Sequence, residues 1–193
     1  MSKLFNFYDL KKVQEMREAS HNPHFKDNDT DLPARVCIVG GSGSGKTTSL
    51  LNFLLISPNT FGWITIEPLY EFLDKKMKSK GITILYDLDK LPESRDFPNK
   101  ELQNLIVFDD QVVTKNQSKI INYFIYGRKV VGSGITCMYL TQSYYSFPKT
   151  VRAQLSYLWV VKIGQKRDLN LILTDSGGLV VSKAISRRNT RKA

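Results

Sequence analysis

Apolar residues fall along this chain in short continuous runs: Arg35 to Val39, Trp63 to Ile66, Ile82 to Leu85, Leu105 to Phe108, Ile135 to Leu140 and Tyr157 to Ile163. They are rich in β-branched residues and apolar at successive rather than alternate positions, the pattern of strands covered on both faces. Between some of them the apolar spacing changes to every third or fourth residue. Thr47 to Leu55 reads as a helix stopped by Ser57-Pro58, and Gln117 to Arg128 as a helix with Ile120, Ile121, Phe124 and Ile125 on its apolar side. Strands alternating with helices predict an α/β fold: a mostly parallel central sheet with helices on both faces and right-handed crossovers.

The two ends differ from this middle. Tyr8 to Ala19 places Leu10, Val13 and Met16 on one stripe among Lys and Glu and predicts an amphipathic helix. His21 to Leu32, with Asn22-Pro23 and the acids Asp27, Asp29 and Asp31, has turn chemistry without periodicity and reads as an acidic linker. Ser182 to Ala193 holds Lys183, Arg187, Arg188, Arg191 and Lys192 and no acid. The expected division is therefore 1–34 for helix and linker, 35–181 for one compact domain, and 182–193 for a basic tail.

With 193 residues, 41% hydrophobic, the chain is large enough to bury a core without metal or disulfide. Its two cysteines, Cys37 and Cys137, stand inside apolar runs and read as buried thiols of a reducing compartment rather than a disulfide framework. No apolar stretch approaches the roughly 20 residues that span a bilayer, and no signal peptide is visible, so no integral membrane segment is expected. Lys and Arg number 28 against 18 Asp and Glu, a net charge of +10 that favours polyanions.

The sharpest chemical signal follows the first strong run. Gly40-Gly41-Ser42-Gly43-Ser44-Gly45-Lys46-Thr47 matches G-x-x-x-x-G-K-[ST] and lies between an expected strand and an expected helix, the context a phosphate-binding loop requires. Its glycines let backbone N–H groups line a concave anion site, and the helix N-terminus adds positive potential. Lys46 is the expected contact to the β- and γ-phosphates of ATP, and the Thr47 hydroxyl the expected Mg²⁺ ligand.

Leu105-Ile106-Val107-Phe108 ends in Asp109-Asp110, a strand closing on two carboxylates as a Walker B element does. Asp109 is expected to hold Mg²⁺ through water, and Asp110, facing the other way, to orient or activate the attacking water. If the strand Ile135 to Leu140 lies beside the phosphate-loop strand, Gln142 after it reaches the γ-phosphate region. Arg128 and Arg152 are the arginines best placed to face a neighbouring subunit's nucleotide.

Four stretches carry a resemblance running from about Val36 to Asp175: Gly40 to Thr48, Leu105 to Asp110, Tyr126-Gly127-Arg128-Lys129, and Thr141 to Arg152, where a Thr-Gln strand end leads to an aromatic and then Pro-x-x-x-Arg. Together they resemble the poxvirus-type genome-packaging ATPases of nucleocytoplasmic large DNA viruses and virophages, a branch of the FtsK/HerA superfamily. The resemblance implies a RecA-like P-loop NTPase fold and ATP hydrolysis driving double-stranded DNA into a capsid. It also implies a homo-oligomeric ring, capsid or portal-vertex partners, and a place in the virus factory of the host cytoplasm or in the virion. By it, Gly40 to Thr48 cradle the phosphates, Lys46 and Thr47 contact phosphate and Mg²⁺, Asp109 is the metal acid, Asp110 the catalytic acid, Gln142 the sensor and Arg128 an arginine finger, with Arg152 the alternative. A motor of this kind grips DNA through phosphates, and Lys115, Lys119 and Lys149, read as lying on loops at the carboxyl ends of the strands, are the expected DNA contacts. Asp110 stands where bacterial and archaeal relatives carry Glu, and Ala153-Gln154 where an Asn is expected.

Two other classes compete. A small nucleotide or nucleoside kinase needs an Arg-rich lid, and no compact lid segment is evident. A nucleotide-gated assembly factor needs the loop but little hydrolysis. A GTPase is disfavoured because Asn99-Lys100-Glu101-Leu102 lacks the Asp of N-K-x-D.

Overall fold

A computed structural model describes residues 22–66, 82–84, 102–110, 117–127 and 134–175, together with Lys11 and Leu91. Six strands lie in these residues: β1 (Arg35–Val39), β2 (Phe61–Ile66), β3 (Ile82–Ile84), β4 (Gln103–Asp109), β5 (Ile135–Thr141) and β6 (Tyr157–Val160). They form one sheet in the order β3-β2-β4-β5-β1-β6, and every pairing is parallel. The helices are α1 (Phe25–Asn28), α2 (Lys46–Leu55), α3 (Gln117–Tyr126), α4 (Lys149–Arg152) and α5 (Lys166–Asp175).

Alternation along the strands sorts the core into two layers. Val36, Ile38, Leu105, Val107, Met138 and Leu140 pack with Leu50, Phe53 and Leu54 of α2 on one face. Cys37, Val39, Ile106, Phe108, Cys137 and Tyr139 pack with Ile120, Tyr123 and Phe124 of α3 and Ile172 of α5 on the other. Both faces are thus covered, which is why the central strands read as continuous apolar runs. The second layer is tied together by rings, with Tyr139 and Phe147 centroids 4.4 Å apart and Phe124 edge-on to Phe147 at 6.0 Å.

The structure sharpens several expectations. The last strand ends at Val160 rather than continuing to Ile163. Residues 22–34 carry a short helix and a polar network in which Asn22 donates to Asn28 and to the Thr30 carbonyl, at 2.7 and 2.6 Å, and Asn28 donates to Ser57 at 2.8 Å. This stretch is fastened to the turn after α2. Helix α5 had no sequence signal, because its buried positions are Asp168 and Ile172, so the inward stripe looks half polar. The expected N-terminal helix, Lys11 excepted, and the basic tail lie outside the described residues.

A candidate nucleotide site at the carboxyl edge of the sheet

Strand β1 runs straight into the glycine loop, and the loop is braced from both sides. Gly40 N–H donates to the Thr141 carbonyl of β5 at 3.1 Å, and Gly41 N–H to the Lys162 carbonyl beyond β6 at 3.0 Å. At Gly40 the space is full: a Cβ there would stand 2.6 Å from Ser44 Oγ and 3.1 Å from the Lys162 nitrogen. Gly43 and Gly45 have φ of 65° and 97°, the left-handed region in which a side chain is strained. Gly45 is the N-cap of α2, so that helix points its positive end into the loop. Lys46 Nζ donates to the carbonyls of Gly40 and Gly41, at 2.9 and 3.2 Å, which places its charge across the mouth of the loop.

Strand β5 lies between β1 and β4, as the placement of Gln142 required. With strands about 4.8 Å apart, β4 is roughly 10 Å from β1. Register aligns their ends: Val39 pairs with Thr141, and Asp109 with Leu140. By alternation Asp109 shares the α2 face with Leu105 and Val107, the face on which the glycine loop opens. Asp110 follows with φ of 50°, an uncommon backbone for a non-glycine residue that costs about 1–3 kcal/mol. Its N–H donates to the Leu140 carbonyl at 2.9 Å. Its carboxylate Oδ2 accepts from Gln142 Nε2 at 2.6 Å. The two residues read as water-handling groups therefore meet directly at the ends of adjacent strands.

The residues fit Mg²⁺ with a nucleotide. Ser44 Oγ inside the loop is buried without a hydrogen-bond partner, and the loop is too tight at Gly40 for any side chain. The Thr47 hydroxyl and the Asp109 carboxylate are hard oxygen donors, the type Mg²⁺ takes, and the protein needs to supply only one or two of them. Thr47 and Thr48 are exposed in the first turn of α2.

The other candidates are placed differently. Arg152 is committed within its own chain: Nε pairs with Asp175 Oδ2 at 2.9 Å and Nη1 donates to the Phe147 carbonyl at 2.6 Å, with the side chain only 11% exposed. It stacks 5.3 Å from the Tyr144 ring. Lys119 lies in α3 and Lys149 opens α4, so neither is on a loop as expected. Arg128 and Lys115 lie outside the described residues.

Three residues that contribute here had no sequence signal. Arg35, buried in β1, donates through Nε to the Phe124 carbonyl and through Nη2 to that of Ile125 at 3.0 Å, capping the end of α3. Asp168 of α5 is 1% exposed and accepts from Ser143 Oγ and from the N–H groups of Tyr144 and Tyr145. Arg167 stacks 3.8 Å from the Tyr145 ring. Each pairing joins segments far apart in sequence, and an acid in the first turn of a helix reads only as a complement to the helix dipole.

The parallel sheet, the loop after β1 and the interposed β5 define a RecA-like P-loop NTPase fold. Known structures share it. The genome packaging NTPase B204 from Sulfolobus turreted icosahedral virus 2, in complex with ATP-gammaS, is similar with a TM-score of 0.56 at 16% identity over 76% of this chain and 83% of that one. B204, the DNA-packaging ATPase from Sulfolobus turreted icosahedral virus, gives 0.54 at 15% identity over 76% and 83%. The cytoplasmic domain of EssC gives 0.58 at 14% identity, over 75% of this chain and only 35% of that one. No family model and no curated protein matches the chain.

Proposed function

We propose that the chain is an Mg²⁺-dependent ATPase that moves double-stranded DNA into a viral capsid. The observation that carries the reading is the convergence of the glycine loop, Asp109 and the Gln142–Asp110 pair at one sheet edge. Its likeness in fold to the packaging ATPase B204 supports the choice among P-loop activities.

In this reading Gly40 to Thr48 hold the phosphates of ATP, and Lys46 turns from its carbonyls to the β- and γ-oxygens. Thr47 and Asp109 hold Mg²⁺, which when bound neutralises charge developing on the transferred phosphoryl group. Asp110 takes a proton from the attacking water, and Gln142 keeps the carboxylate aimed while its own amide oxygen faces that water. The finger that completes the site comes from a neighbouring subunit in a ring. Arg128 is its source, since Arg152 is engaged with Asp175 and Phe147. DNA is gripped through its phosphates by basic residues, Lys149, exposed at the start of α4, with Lys119 and Lys115, and by the basic tail. Capsid or portal-vertex proteins are the assembly partners, in a virus factory.

ATP turnover measured with and without duplex DNA tests this. A packaging motor is stimulated by DNA of any sequence, and the stimulation falls steeply with salt. Stimulation by a small phosphoryl acceptor instead would make the protein a kinase, and turnover indifferent to both would leave an assembly factor.

A further inference from the structure

The turn after Gln142 is held by a carboxylate that plays no part in the chemistry above. Asp168 is 1% exposed in the first turn of α5, and its donors are three consecutive residues. Oδ1 accepts from Ser143 Oγ at 3.1 Å and from Tyr145 N–H at 3.0 Å, and Oδ2 accepts from Tyr144 N–H at 3.2 Å. A carboxylate meeting donors from three successive residues fixes their relative orientation.

The same turn is closed at both ends. Ser143 N–H donates to Thr141 Oγ1 at 3.2 Å, and that hydroxyl donates to the Ser143 carbonyl at 3.1 Å. Farther along, Arg152 gathers the Tyr144, Tyr145 and Phe147 carbonyls, with Asp175 at the other end of α5 behind it. Gln142, itself exposed, stands between this fastened turn and Asp110. An exposed amide keeps one rotamer against a carboxylate only if its backbone is fixed, and α5 supplies that fixing.

We propose that Asp168 is a positioning residue for hydrolysis: by clamping Ser143, Tyr144 and Tyr145 it holds Gln142 on Asp110. The inference rests on the reading of Asp110 and Gln142 as the groups that handle the attacking water. Asp168, 1% exposed and bonded to Ser143, Tyr144 and Tyr145, acts through the turn. A carboxylate that merely docks α5 would have a different signature, lowering stability and leaving the folded enzyme's turnover alone.

The test uses the full chain with ATP as the probe. Asp168→Asn puts an NH₂ donor against a backbone N–H, and Ser143→Ala removes one hydroxyl donor and serves if the first variant folds poorly. Both are made in the wild-type and Gln142→Ala backgrounds, with kcat, KM and affinity for a fluorescent ATP analogue measured below each melting temperature. The Gln142 side-chain amide is followed by ¹⁵N NMR. The expected result is a kcat lower by about 10- to 100-fold in Asp168→Asn, and by less in Ser143→Ala, with nucleotide affinity unchanged. In the Gln142→Ala background neither substitution lowers kcat further. Equal losses in both backgrounds, or a matching loss of affinity, overturn the proposal. If the wild type does not hydrolyse ATP while Asp168→Asn still shifts the Gln142 amide resonance, the ATPase reading falls and the positioning stands. An unmoved resonance removes the positioning itself.

Discussion

Gln142 donates its amide to Asp110 Oδ2 across 2.6 Å, joining the ends of two adjacent strands whose residues are 32 positions apart. The pair exists because β5 runs between β1 and β4, and because Asp110 takes a left-handed backbone that swings its carboxylate toward β5.

That contact is exposed, so breaking it separates chemistry from stability. Asp110→Asn and Gln142→Ala should each change folding stability by no more than about 0.5 kcal/mol. Asp110→Asn should lower ATP turnover by about 10²- to 10⁴-fold while Mg·ATP still binds. Asp109→Asn should instead shift the Mg²⁺ concentration needed for half-maximal binding. Titration calorimetry with and without Mg²⁺ separates the two, and identical behaviour of the Asp109 and Asp110 variants would refute the division of roles.

The glycine loop makes a graded prediction. Lys46→Ala should remove at least about 10²-fold of the turnover with the melting temperature preserved, since among the described residues the ammonium donates to loop carbonyls and to no side chain. Gly40→Ala should disturb the loop more than Gly43→Ala does. At Gly40 a methyl group meets the Lys162 backbone at 3.1 Å, whereas at Gly43 nothing lies within 4 Å and only the φ of 65° resists. A nucleotide affinity lower in Gly43→Ala than in Gly40→Ala would contradict this ranking.

Arg152 should behave as a structural residue. Arg152→Ala breaks an ion pair and three carbonyl contacts at a side chain 11% exposed, and should cost about 2–3 kcal/mol in chemical denaturation. Arg152→Lys should recover only part of this, because an ammonium cannot reproduce the guanidinium fan. A variant as stable as the wild type but inactive would return Arg152 to the role of finger.

The finger itself is tested by mixing. Lys46→Ala and Arg128→Ala should each be inactive alone and partly active together, because some interfaces of a mixed ring pair an intact loop with an intact arginine. No recovery at any ratio, with mixed rings verified by mass, would dispose of a finger acting in trans from Arg128.

Both thiols are fully buried, and burial raises their pKa; that of Cys137 reaches about 12 despite the opposing field of Arg35, and that of Cys37 is pushed up by burial alone. Neither should react with a maleimide in the folded protein at pH 8, and both should react on unfolding. The unfolded chain loses these protons first, near the ordinary value of 9.0, so the thiols stabilise the fold fully below that pH. Above it their contribution declines steadily. A denaturation midpoint flat from pH 8 to 10.5 in wild type and in Cys37→Ala alike would argue against it.

What the sequence revealed was what is local. Apolar runs gave β1, β4 and β5, because a strand buried on both faces needs no partner to be recognised, and the glycine loop is a contiguous motif. Gln142 could be placed conditionally, and the order β4-β5-β1 met the condition. The contacts of Arg35 and Asp168 and the pairing of Arg152 with Asp175 are relations between segments 23 to 90 residues apart, so no periodicity encodes them. Helix α5 escaped for the same reason: its inward face is built around a carboxylate whose partners lie in another segment.

The two neighbours of β1 come from residues 135–141 and 157–160, a hundred or more positions downstream. A ribosome therefore releases the glycine loop long before anything that braces it. Through that interval Val36, Cys37, Ile38 and Val39 are an unpaired sticky segment, and a chain halted before Lys162 holds the phosphate motif without the pocket. Cellular ATP cannot rescue such a fragment, since ligand stabilises only a form able to bind it. Productive yield should therefore depend on how quickly synthesis reaches β6.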